Sequence, residues 1–196
     1  MRYINKIGLI ITLLILLQRC QTLEIDPYYK GVMTEGSING KPWQNTKLNV
    51  ASVQKCTKSI DLIIQVFNEN KFLRETLGIS KIPLREGTFD ILAPDFKINI
   101  VCLPDSTLTP TQVTSAYFTS QDDGDVGKDT YLTLKSVREK NKLTITRLDF
   151  VNKYIEGEFD ATYLLRRNEK GLKNYQDSPD TLRFTKVKFQ SSIVIN

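Results

Sequence analysis

Leu143-Thr144-Ile145-Thr146-Arg147-Leu148-Asp149-Phe150-Val151-Asn152-Lys153-Tyr154-Ile155-Glu156-Gly157-Glu158-Phe159-Asp160-Ala161-Thr162-Tyr163 is the stretch that decides the fold class. Leu143 and Ile145 alternate with Thr144 and Thr146, the period of two that sends successive side chains to opposite faces of a sheet. The apolar phase then shifts to Leu148 and Phe150, which predicts a bulge near Arg147. Asn152-Lys153 turns the chain. Ile155, Gly157, Phe159, Ala161 and Tyr163 then alternate with Glu156, Glu158, Asp160 and Thr162, the pattern of a half-buried strand with a solvated outer face.

The same period extends in both directions. Upstream, Tyr131, Thr133 and Leu134 lead to Val137, and residues 139–142 turn the chain. Gln112 to Thr119, Lys97 to Leu103 (Ile98, Ile100 and Cys102 in phase), Gly87 to Ile91, Phe72 to Ile79, and Ile60 to Phe67 (Leu62, Ile64 and Val66 in phase) read as short strands. Asn39-Gly40, between Met33–Ile38 and Lys41-Pro42-Trp43, is a two-residue hairpin signal because both positions tolerate positive φ. Downstream, Leu182 and Phe184, then Val187 and Phe189, make a closing strand. No segment holds a helical period. The expectation is one all-β domain over residues 31–196, an antiparallel β-sandwich or barrel-like fold.

The N-terminus has the layout of an export signal. Arg2 and Lys6 precede an apolar and small-residue run from Ile7 to Leu17, with no acid before Glu24. That run is shorter than the roughly 20 apolar residues of a membrane span. Leu16-Leu17-Gln18-Arg19-Cys20 resembles a bacterial lipobox, although Gln18 and Arg19 are larger than the usual residues there. The resemblance implies cleavage after residue 19, diacylglycerol on the Cys20 thiol, a further acyl chain such as palmitate on the new amine, and a tether over residues 20–30. The alternative is an uncleaved signal anchor with a free Cys20. Gln21 after the cysteine is not an inner-membrane retention signal, which points to the outer membrane. The mildly acidic residues 21–26 leave periplasmic and surface display both open.

Removing residues 1–19 takes away Arg2, Lys6 and Arg19, leaving 24 of the 27 basic residues against 22 acidic ones, so the mature net charge is +2 rather than +5. Lys and Arg are interspersed with Asp and Glu rather than gathered on one basic face, which sets nucleic acid aside. Of the three cysteines, Cys56 and Cys102 remain beside Cys20. They form an even pair that an oxidising compartment allows to bond, or two separate buried thiols.

Gly36-Ser37-Ile38-Asn39-Gly40-Lys41-Pro42-Trp43, followed much later by Leu143–Phe150 and Ile155-Glu156-Gly157-Glu158-Phe159, resembles a group of Bacteroidota lipoproteins with an ING-x-W opening hairpin and a late ITxxD…IxGxF hairpin. The resemblance covers the signal, the first mature strands and the last third of the chain. It implies a β-sandwich domain of unknown function and an envelope location, and no activity. Asp180-Thr181-Leu182 likewise resembles a Bacteroidota O-glycosylation site, which implies a glycan on Thr181; a strand-entry threonine is the ordinary alternative.

The chain has no histidine, which excludes Ser-His-Asp and Cys-His catalysis and histidine-containing metal sites. No P-loop is present. In residues 121–129, Asp122, Asp123, Asp125 and Asp129 are hard oxygen ligands on a glycine-bearing turn, the chemistry that calcium takes. The EF-hand closing Glu is missing, and Asp and Gly are also ordinary turn residues. Glu156, Glu158 and Asp160 form a row of acids that reads as a solvated strand face. Trp43 either stacks on a sugar or plugs the end of the core. Residues 166–180, with Tyr175, form a long polar connection, either a recognition loop or a mobile hairpin tip. The expectation is a non-catalytic binding or structural module, held on a membrane through Cys20, with a glycan or an envelope protein as ligand. Its rivals are a two-carboxylate glycan hydrolase and a calcium-stabilised adhesin-like domain.

Overall fold

The computed structural model describes residues 34–43, 46–54, 57–94, 113–121, 126–134, 139–168, 170–173 and 175–195. The signal, Cys20, the tether, Cys56, Cys102, the strand expected over 97–103, and Asp122, Asp123 and Asp125 lie outside them. The described residues form eleven strands and no helix: β1 Thr34–Ile38, β2 Lys41–Pro42, β3 Thr46–Gln54, β4 Ser59–Phe67, β5 Leu73–Pro83, β6 Gly87–Leu92, β7 Val113–Gln121, β8 Val126–Thr133, β9 Lys142–Asp149, β10 Tyr154–Leu165 and β11 Thr181–Ile195. The all-β expectation is met.

All eleven strands belong to one sheet, and the sheet closes on itself. Hydrogen-bonded neighbours run β11, β3, β4, β5, β7, β8, β10 and back to β11. At the other end of the molecule β6 and β9 take the place of β8 between β7 and β10: β8 pairs with Tyr163–Leu165 of β10, whereas β9 pairs with Tyr154–Asp160. The architecture is therefore barrel-like. Two of its ladders, β11–β3 and β6–β7, are parallel, a departure from the expected antiparallel pattern.

Local chemistry explains the elements. Asn39 and Gly40 have φ of 51° and 76°, the positive pair that a primed hairpin turn requires. The bulge expected near Arg147 falls on Thr146, since Arg147 faces Glu156 while Ile145 faces Gly157. A second irregularity, centred on Lys186, interrupts both the β10 and the β1 ladders; Lys186 has φ 50° and its N–H donates to Asp160 Oδ1 at 2.9 Å. β3 has no counterpart among the expected strands, and β8 begins at Val126, which puts Asp129 in a strand rather than in a loop.

Inward-facing positions form one apolar core that includes Leu62, Ile64, Leu77, Ile79, Phe159, Tyr163, Phe184 and Phe189. Phe184 sits at its aromatic centre, with ring centroids 5.1 Å from Trp43, 5.2 Å from Tyr117 and 5.3 Å from Tyr163. Asn141, buried where β8 gives way to β9, fills the fork in the sheet. Its Oδ1 accepts from Thr162 N–H, its Nδ2 donates to the Leu134 carbonyl, and its own carbonyl accepts from Ile91 N–H.

Gly157 is required by close approach. A Cβ there would lie 2.4 Å from the Thr144 carbonyl oxygen and 2.8 Å from Phe189 Cζ. One contact is backbone and the other a buried ring, so neither yields freely. Gly157→Ala is expected to destabilise the fold by about 3 kcal/mol, the upper end of the overpacking range, as a lower urea midpoint with an unchanged slope.

Candidate functional site

At the end of the barrel where β5 and β8 begin, a cleft of about 290 Å³ opens between these strands, β7 and the segment that precedes β11. Its inner wall follows from strand phase. Glu75 shares a phase with the buried Leu77 and Ile79, and Asp129 shares one with the buried Tyr131 and Thr133. Register then sets them abreast: Glu75 pairs with Thr119, and Thr119 pairs with Asp129. Two carboxylates thus flank a threonine on one rung of the sheet, two strand spacings apart, roughly 10 Å between Cα atoms. The next rung inward runs Leu77, Tyr117, Tyr131, Leu165. Acids line the opening and phenols form its floor.

The two acids differ in their partners. Glu75 Oε2 accepts from Trp43 Nε1–H at 2.8 Å, and its carboxylate lies close enough to Tyr117 to raise that phenol. Asp129 is only 6% exposed; its Oδ2 accepts from Ser178 Oγ–H and its Oδ1 has no hydrogen-bond partner. It is the one buried side-chain polar atom left so among the described residues. Arg74 and Lys128 also border the cleft but lie on the opposite strand phase, with the Arg74 guanidinium 5.8 Å from the Phe72 ring and Lys128 Nζ 5.3 Å from the Tyr175 ring. Among the described residues neither forms an ion pair with Glu75, Asp129 or Asp177 of the same cleft.

Burial raises the phenols. Tyr131 is pushed up to about 12, first by desolvation and then by the Asp129 charge. Tyr117 is raised further, by desolvation and then by Glu75. Tyr163, deeper in the core, is raised by desolvation, with its hydrogen bond to Ser115 acting the other way. All three are neutral hydrogen-bond donors at physiological pH.

The connection over residues 166–180 is tied down at several points. Arg166 N–H donates to the Thr130 carbonyl at 2.8 Å, and Asp180 receives both Arg167, at 2.7 Å, and Lys173, at 3.3 Å. Lys173 Nζ also donates to the Ser178 carbonyl, which steadies the residue that reaches Asp129. Tyr175 packs over Lys128 at the rim.

The other expected site residues that are described do not join Glu75 and Asp129 at this cleft. Of the four proposed calcium ligands only Asp129 is described, and its side chain is turned to the inner face of β8. No three His, Cys, Asp or Glu residues gather as a metal set among the described residues. Glu156 accepts from Tyr154 Oη–H, Asp160 caps the Lys186 amide, and Glu158 is exposed, so this row forms no facing pair. Thr181, paired with Leu164, opens β11 beside a shallow depression lined by Asn39 and Arg183. Trp43 is buried and plugs the core end, as one of its two readings held. Sequence reasoning missed Glu75, Tyr117, Tyr131 and Ser178 as site residues; the available signal was an acid in phase with inward apolar positions. No family model, curated protein or solved structure matches this chain.

The raised phenols fix a pH window for stability. Unfolded tyrosine ionises near 10.0 while folded Tyr131 holds its proton to about 12, so above pH 10 the native state binds more protons than the unfolded one. The stability these groups contribute is complete below pH 10 and is lost as pH rises toward 12. Urea midpoints between pH 8 and pH 11.5 should be flat and then fall, with tyrosinate absorbance lagging that of an unfolded control.

Proposed function

We propose that this protein is an exported lipoprotein, held on the outer membrane of a bacterial envelope by lipid on Cys20, and that its barrel is a non-catalytic module that binds a small ligand in the cleft bounded by Glu75, Asp129, Tyr117 and Tyr131. One observation carries the binding role. A buried carboxylate oxygen without a partner costs free energy in a folded protein, and such an atom beside an open cleft marks a place where a ligand completes the bonding. Barrel mouths are favoured ligand sites because the closed sheet holds the lining residues rigidly. The anchor follows from the export signal and the lipobox-like Leu16-Leu17-Gln18-Arg19-Cys20. Two or more acyl chains hold a protein on a bilayer far better than one, at about 0.8 kcal/mol per buried CH₂.

A second reading rests on the same rung. An inverting glycoside hydrolase sets its acid and its base several ångströms apart across a groove, and Glu75 and Asp129 stand on one cleft two strands apart. Steady release of reducing sugar that vanishes in Glu75→Gln would replace the binding role with this one.

The anchor is tested in cells. The native chain should fractionate with membranes and incorporate labelled palmitate, and Cys20→Ala should do neither. A Cys20→Ala chain that stays in the membrane removes the lipoprotein reading and leaves an uncleaved signal anchor. Protease treatment of intact and lysed cells then separates surface from periplasmic display.

A further inference from the structure

The charges around the cleft identify what it takes, given the binding role proposed above, on which this inference rests. Three carboxylates border the opening, Glu75, Asp129 and Asp177, and none is ion-paired among the described residues. The two cations nearby face other partners, Arg74 toward Phe72 and Lys128 toward Tyr175. The floor offers two aromatic rings, Tyr117 and Tyr131, whose centroids are 5.9 Å apart. Thr119 Oγ1, between the two acids, already accepts from the Asp129 amide at 3.1 Å.

We propose that the Glu75–Thr119–Asp129 rung recognises the primary ammonium group of a small ligand. An N⁺–H donor entering the cleft, with a small shift of the side chains that now cover Asp129 Oδ1, makes a charge-assisted hydrogen bond there, about twice as strong as a neutral one. It also supplies the counter-charge that a buried carboxylate requires. The phenols Tyr117 and Tyr131 below are neutral and bring no positive charge to oppose a cation. Ser178 keeps Oδ2, so the aspartate is oriented before the ligand arrives. An anion would meet three carboxylates, and a neutral sugar would leave the charge on Asp129 uncompensated.

Trp43 is the single tryptophan of the chain and is bonded to Glu75, so its fluorescence reports on the cleft. The full chain in detergent is titrated with methylammonium, glucosamine and spermidine, and in parallel with glucose and N-acetylglucosamine as neutral counterparts. Saturable Trp43 changes are expected with the amines and not with the neutral sugars. Asp129→Asn should weaken amine binding about tenfold or more while its melting temperature is unchanged or higher, because a buried charge has been removed from a folded chain. Ser178→Ala should also weaken binding, by loss of orientation. Equal responses to glucose and glucosamine would overturn the ammonium assignment and leave the binding role standing. Silence from all five probes, with a lower melting temperature for Asp129→Asn, would make Asp129 a structural residue and overturn both. Silence from the amines alone overturns the ammonium assignment whatever the melt shows.

Discussion

Closure of the sheet depends on β11 serving three neighbours at once. One edge carries β10 from Tyr154 to Leu164; the other carries β1 along Phe184–Phe189 and then β3 along Ile193–Ile195, antiparallel to the first and parallel to the second. The irregularity at Lys186 shifts the register of both neighbouring ladders, and such bulges increase local twist. The Asp160 carboxylate accepts from the Lys186 amide at this exposed break, so that N–H has a partner outside the ladder. With the ring closed, the central strands have no open edge to pair with another chain.

A closed ring turns one face of every strand inward and makes position along the axis matter as much as position in the sequence. Mid-barrel, the inward residues are aliphatic and aromatic, and the few polar ones satisfy one another. Ser115 Oγ–H donates to the Gly78 carbonyl at 2.7 Å and accepts from Tyr163 Oη–H at 2.7 Å, while Thr133 Oγ1–H donates to the Ser115 carbonyl. The fork at Asn141 is completed in the same way. Toward the opening the inward phase changes character, and Glu75, Thr119 and Asp129 occupy the rung above the last phenols.

Much of this was legible from period alone. Alternation marked β4, β7, β9, β10 and β11, the bulge on β9, and the Asn39-Gly40 turn, because each depends on local φ/ψ preference and on the pleat. β3 was not legible: Thr46–Gln54 mixes small and polar residues, and its strand character comes from lying between β4 and the distant end of β11. The parallel β11–β3 ladder was invisible for the same reason, since it joins Ile193 to Ala51 across most of the chain; the parallel β6–β7 ladder joins Ile91 to Val113 across a connection whose path no local pattern encodes. Asp129 was noticed as part of the Asp- and Gly-rich segment, and not as a neighbour of Glu75. Its Asp- and Gly-rich upstream context reads as a turn, whereas its phase with Tyr131 and Thr133 places it on the inner wall. The rung that joins it to Glu75 is a matter of register across three strands, which no single stretch of sequence encodes.

The barrel treats its carboxylates in two ways. Glu139 is held below the usual carboxylate range, first by Arg183 and then by Thr162, whose hydrogen bonds occupy its two oxygens; Asp149 is held low by the Asn152 backbone and side chain and by Arg147. Both are half-buried and still reach solvent, so their pairing is screened in part. Asp129 is buried, where the need for partners is far greater, and has one oxygen engaged and one not. The phenols carry no positive charge in either protonation state, and the cations at the rim lie on the outer strand phase. Glu139 and Asp149 are surrounded by donors, whereas Asp129, buried beside the opening, has Oδ2 engaged and Oδ1 not; the proposed ligand role rests on that contrast.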